Sequence, residues 1–128
     1  MDYLFLLGRV LLGGYFIMSG FNHFKNIKGL SGYAESKNVP MPALAVFVTG
    51  LMMFLGGLGV LLGVYVQFSV VLLVVFLVVT TLQMHQYWKA ADPMQKMSEH
   101  INFYKNLGLL GATLMLFAIP LPWVLSLF

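Results

Sequence analysis

The chain has 128 residues, of which 60% are hydrophobic and 9% charged, with a mean hydropathy of +0.90; an ordinary soluble domain is about 25% charged. A soluble globular domain is thereby excluded, and because a hydrocarbon core about 30 Å thick takes about 20 apolar helical residues per crossing, the length holds four or five crossings at most. The absence of cysteine removes disulfide exchange, thiolate-ligated iron–sulfur clusters, covalent c-type haem and Cys-ligated zinc, so a redox role needs a borrowed cofactor.

The first apolar segment covers residues 3–24. Its start, Met1-Asp2-Tyr3, lacks the basic region of a secretory signal, so the segment is expected to stay in the mature protein. It holds Arg9, whereas the other ten of the eleven charges sit at Asp2 or in the polar stretches 25–37 and 89–105. Arg9 lies about 9 Å from the outer end of its helix. A charge at that depth marks a functional site by default, unless its guanidinium snorkels to the interface; both readings stand.

The second segment, residues 43–63, follows Pro40 and Pro42, which suit a first helical turn. It carries Gly50, Gly56, Gly57, Gly59 and Gly63, including Gly59-x-x-x-Gly63, and small residues allow close helix approach in lipid. Val64-Tyr65 joins it to the third segment, residues 66–87, as a tight hairpin. The fourth segment, residues 101–119, is preceded by Asp92-Pro93-Met94-Gln95, a capping-box-like start. Met94, Met97, Ile101 and Tyr104 continue at helical spacing as an amphipathic extension, and Pro120 and Pro122 end the helix. The runs lack the period-two alternation of a barrel wall. The expectation is a single domain over residues 1–128, an all-α integral membrane four-helix bundle with short loops.

All six lysines (25, 28, 37, 89, 96 and 105) fall on one side of such a bundle. The positive-inside rule puts their loops in the cytoplasm and both termini outside the cell membrane. Tyr3, Tyr65 and Trp123 then form an outer aromatic belt, and Tyr87, Trp88 and Tyr104 an inner one. The pI of about 9.3 accompanies no basic stripe on an exposed recognition helix, so it reads as membrane topology rather than nucleic-acid binding.

Polar residues gather at the inner end. Asn22 and His23 close the first segment. Thr81, His85 and Trp88 share a face of the third, and Asn102, Lys105 and Asn106 share one of the fourth. Converging, they would form a polar pocket with a basic edge and aromatic walls, suited to an anionic or quinone-like head group. The alternative is that they are interfacial residues satisfying loop backbone and lipid head groups. His23 and His85 sit too near the surface to bury a haem, which is disfavoured. No Glu-x-x-His pair is available to bridge metal ions, and Glu99-His100, being adjacent, point to different faces.

Gly50-Leu51-Met52-Met53-Phe54-Leu55-Gly56-Gly57 with Gly63, and the run from His85-Gln86-Tyr87-Trp88 through Asp92-Pro93 to Phe103-Tyr104-Lys105-Asn106-Leu107-Gly108-Leu109-Leu110-Gly111, resemble the DoxX family of small four-helix membrane proteins. The Arg9 segment and Ser19-Gly20-Phe21-Asn22-His23-Phe24-Lys25 resemble its first helix, so the similarity covers nearly the whole chain. Members include subunits of a thiosulfate:quinone oxidoreductase and proteins associated with membrane oxidoreductase complexes; distant eukaryotic relatives act as cargo receptors or receptor-assembly chaperones. The resemblance implies a membrane subunit or anchor of a quinone-linked redox system, with an oxidoreductase partner and without self-sufficient catalysis. The alternative it leaves open is a binding or assembly protein, homo-oligomeric through its glycine-rich helices. Many relatives carry Glu where Met53 stands, within pairing distance of the arginine matching Arg9; here the nearest polar candidate from another segment is Gln67.

Overall fold

A computed structural model of the chain describes residues 1–125. Among these the architecture is entirely helical: α1 (Asp2–Lys25), α2 (Ile27–Ser36), α3 (Pro42–Leu62), α4 (Val66–Met84) and α5 (Pro93–Met115), with single 3-10 turns at Tyr87–Lys89 and Leu116–Ala118. Three stretches, Asp2–Lys25, Pro42–Leu62 and Val66–Lys89, are long and apolar enough to cross a membrane.

Several of the expected boundaries shift. The stretch read as a loop after the first segment contains α2, so the description as four helices is approximate. Asn26 interrupts the chain between the two helices with φ −120°, and α2 then buries Ala34. The fourth long helix starts at Pro93, eight residues before the expected 101, and ends at Met115. Asp92 caps it, its carboxylate accepting the Met94 N–H at 3.3 Å, and proline fits the first turn because its missing N–H has no partner there. The amphipathic extension is thus a continuous part of α5.

The long helices alternate in direction, with two distinct ends. The loop end gathers the close of α1, α2, the start of α3, the close of α4 and the first turns of α5. The opposite end gathers the start of α1, the α3–α4 hairpin and residues 123–125. α3 is the central element, packed on α1, α2 and α4, while α5 packs on α4.

Glycine explains the closeness of α1 and α3. A Cβ placed on Gly13 would lie 2.8 Å from the Gly57 carbonyl oxygen, and one on Gly57 would lie 2.7 Å from that of Gly13. Gly20 and Gly50 repeat the arrangement two turns away, a Cβ on Gly20 meeting the Gly50 oxygen at 2.6 Å. On the other side of α3, Gly56 receives Leu73, and Gly59 leaves room for Ser69 of α4. Gly63 has a different job from the expected packing partner of Gly59. With φ 73° it ends α3 in the left-handed conformation, and its N–H bonds to the Gly59 carbonyl at 2.8 Å.

Arg9 closes the end opposite the loops. Its side chain does not snorkel: the residue is 2% exposed, and its guanidinium turns inward. Nε donates to the Val60 carbonyl at 3.1 Å and Nη2 to that of Leu61 at 2.9 Å. These belong to the last turn of α3, where carbonyls have no helical partner and carry the negative end of the helix dipole. Nη1 donates to the Val124 carbonyl at 2.5 Å, and the rings of Phe5 and Trp123 lie 5.6 Å from the guanidinium carbon. Trp123, expected in the outer belt, is instead buried in this cluster. Gln67 is exposed and takes no part.

Arg9→Lys keeps a charge but cannot reach three carbonyls on two segments, so it is expected to lower unfolding stability by about 2–3 kcal/mol. Gly57→Val, forcing α1 from α3, should lower it by about 1–3 kcal/mol, whereas Gly108→Ala, with nothing within 4 Å of its side-chain position, should be neutral or stabilising. Thermal unfolding of the purified variants in one detergent checks all three.

Candidate ligand cavity at the loop end

Tight packing at the hairpin end of the bundle gives way to a cavity of about 640 Å³ toward the loops. Most of its wall is apolar: Phe16 of α1, Val46 and Met53 of α3, Phe76 and Leu77 of α4, and Leu109 of α5. α2 covers part of it with Leu30, Tyr33 and Ala34. The expected polar pocket is therefore a mainly apolar chamber with polar groups in its lining.

Five of the six sequence-derived ligand residues line this chamber: Asn22, His23, His85, Lys105 and Asn106. Trp88 does not. α4 ends at Met84, so His85 and Trp88 no longer share a helix face with Thr81; the chain turns here to bring α5 back. Trp88 sits in the 3-10 turn, 51% exposed, with its ring edge-on to Tyr87 and Phe103. Thr81 is buried outside the lining, and Asn102 also falls outside it. Met53 lines the chamber rather than facing Arg9, whose carbonyl partners lie about 10 Å further along α3.

The sequence reading missed the group that organises this end. Glu99 of α5 is 3% exposed. Its Oε1 accepts the Tyr33 hydroxyl at 2.5 Å, its Oε2 pairs with Lys37 Nζ at 2.7 Å, and His85 Nδ1 faces Oε1 at 3.5 Å. Gln83 Nε2 donates to the Lys37 carbonyl at 2.8 Å, adding a tie from α4. One carboxylate thus joins α2, the segment after it and the end of α4 to α5. A signal was present: Glu99, Asn106 and Thr113, the buried residues of α5, recur every seven positions, a single stripe on a helix. The expectation that Glu99 and His100 diverge matches their placement, since His100 is exposed against Tyr87 and Tyr104.

Burial alone would raise the Glu99 carboxyl. The hydrogen bonds from Lys37 and Tyr33, with the charge of Lys37, outweigh it and hold the group below the usual carboxylate range. Burial, followed by the bond to Glu99 and its charge, pushes the Tyr33 hydroxyl well above its ordinary value. Glu99 is accordingly an anion and Tyr33 a neutral phenol at physiological pH.

His23 is fixed separately, with Nδ1 3.0 Å from the Ser19 carbonyl. Among the described residues, no three His, Asp or Glu side chains are placed to hold a metal ion.

A family model for DoxX matches residues 4–86. The inner membrane protein YphA of Escherichia coli (strain K12) is 31% identical over 128 residues, covering 97% of this chain and 87% of that protein. No solved structure matches the chain.

Because the Glu99 carboxyl is depressed, its stabilising effect is complete above the unfolded carboxylate range and is lost as pH falls through the depressed folded value. Removing one partner of a buried pair strands the other, so Glu99→Ala is expected to cost about 3 kcal/mol or more at neutral pH. Melting midpoints across acid pH should fall for the native chain and fall less for Glu99→Gln.

Proposed function

The chain belongs to the DoxX family of integral membrane proteins, and from that premise we propose that it serves as a membrane subunit or anchor of a quinone-linked redox system, holding a quinone-like head group in the loop-end cavity. The single observation that carries this reading is the composition of the cavity wall: a chamber of about 640 Å³ lined mainly by apolar side chains, with His23, His85, Lys105 and Asn106 also in its lining. A ring bound there would place its oxygens among hydrogen-bonding groups and its substituent against Phe16, Met53 and Leu77. Lys105 would neutralise negative charge on a ring oxygen. Electrons would come from a partner oxidoreductase, since the chain supplies no redox centre of its own residues.

The six lysines gather at this same end, and the positive-inside rule turns it to the cytoplasm, with both termini outside. Soluble partners would then meet the α2 segment and the 3-10 turn around Trp88.

A second reading, assembly with further copies or other membrane helices, draws on α5. Among the described residues, Gly108 and Gly111 have no atom beyond their own stretch of helix within 4 Å of their side-chain positions, unlike Gly56, Gly57 and Gly59, which the intrachain packing uses. Under that reading Gly111→Leu disperses an oligomer and leaves the monomer folded.

Mild-detergent preparations are expected to retain a lipid quinone detectable by mass spectrometry, and the delipidated chain to bind a short-chain quinone saturably. Lys105→Ala should weaken that binding about tenfold, the loss of one well-placed polar contact. Neither retained quinone nor saturable binding would sink the redox reading. A reporter fused to either terminus and found in the cytoplasm would reverse the orientation.

A further inference from the structure

We propose that the polar end of the cavity selects a hydroxyl-bearing ring, the diphenol form of a quinone-type amphipath, over the corresponding carbonyl form; this rests on the quinone-like reading above. The selection comes from which way the hydrogens point. A hydrogen already given to an acceptor behind a side chain cannot be given to a ligand in front of it.

Behind Tyr33 stands Glu99 Oε1 at 2.5 Å, so the phenolic hydrogen is committed and only oxygen lone pairs remain for the cavity. Behind His23 stands the Ser19 carbonyl, 3.0 Å from Nδ1. A carbonyl oxygen only accepts, so the neutral imidazole carries its hydrogen on Nδ1 and keeps Nε2 as an acceptor. Behind His85 stands the same Glu99 carboxylate, 3.5 Å from Nδ1, and its negative charge favours the same tautomer. Tyr33 and His23 are therefore set as acceptors by the partners behind them, and the Glu99 charge biases His85 the same way.

A ring carbonyl brings only lone pairs and meets lone pairs at these positions. A ring hydroxyl brings the hydrogen that each position lacks. Lys105 is the one formally charged side chain in the lining among the described residues, and no carboxylate faces the cavity. Its charge favours a ring oxygen made electron-rich by donating its hydrogen to a histidine. A site whose buried groups need a hydroxyl discriminates strongly against an analogue without one, because those groups are then left unpaired.

The full chain in lipid nanodiscs is titrated calorimetrically with a short-chain benzoquinone, its hydroquinone kept anaerobic, and the dimethyl ether of that hydroquinone. The hydroquinone is expected to bind at least about tenfold tighter than either of the others, one to two hydrogen bonds in effect. Tyr33→Phe and His23→Phe should each shrink that ratio severalfold, and because the ratio is taken within one variant it does not depend on how much of the variant is folded. Quinone binding as tight as hydroquinone, ether binding as tight as hydroquinone, or a ratio unchanged in both variants overturns this proposal alone. Binding of none of the three overturns the quinone-like reading as well.

Discussion

A buried guanidinium without a carboxylate is the constraint around which the hairpin end is organised. An unpaired charge in a low-dielectric interior is costly, and in a chain with four acidic residues, none in the apolar runs, the expected counter-ion is missing. The α3 terminus supplies the substitute. Val60 and Leu61 expose carbonyls that no helical N–H can reach, and Arg9 has a planar fork of donors that needs acceptors. Two deficits cancel. Of the donors that remain, Nη1 draws in the Val124 carbonyl, which brings the chain beyond α5 over the start of α1 and seats Trp123 on the guanidinium.

The loop end solves the inverse problem. There the buried charge is an anion, Glu99, and the groups that satisfy it arrive from α2, from Lys37 and from the end of α4. Each end is thus closed by one buried charge on one long helix, gathering groups from segments distant in sequence. The two closures differ in rigidity of supply. Arg9 is met largely by backbone, which α3 holds in place, whereas Glu99 is met by side chains of a short helix and a turn. The cavity lies beside the second closure.

Three of the four expected crossings were legible because apolar runs of the right length have few other uses; the fourth, in α5, is not among the stretches long and apolar enough to cross. The cap at Asp92-Pro93 was legible because its chemistry is local. α2 was not, since ten residues with Lys, Ser and Gly carry too weak a periodic signal to separate an interfacial helix from a loop. Five of the six ligand candidates line one cavity because helices reaching one membrane side must bring their ends together. Trp88 was misplaced because spacing along a helix means nothing once the helix stops at Met84. Glu99 escaped because a charged residue near an interface usually faces water. Only its seven-residue spacing to Asn106 and Thr113 marks the buried stripe, and that becomes visible only if polar residues are allowed to face inward.

The cavity follows from an imbalance in how the helices approach one another. Gly13 against Gly57 and Gly20 against Gly50 bring α1 onto α3 with backbone nearly in contact, and Gly56 and Gly59 seat α4 on the other side. α5 has glycines too, but Gly108 and Gly111 face away from the chain, so its inward stripe consists of larger polar residues: Glu99, Asn106 and Thr113. A helix that presents side chains of that size cannot close on α1 as α3 does. The space between is then set by Met53, Phe76 and Leu77 below and by the Glu99 cluster above. Met53 matters here for its volume rather than for a missing charge, because an unbranched apolar side chain at that position keeps the floor of the chamber apolar, and the polar chemistry stays confined to the end near Glu99.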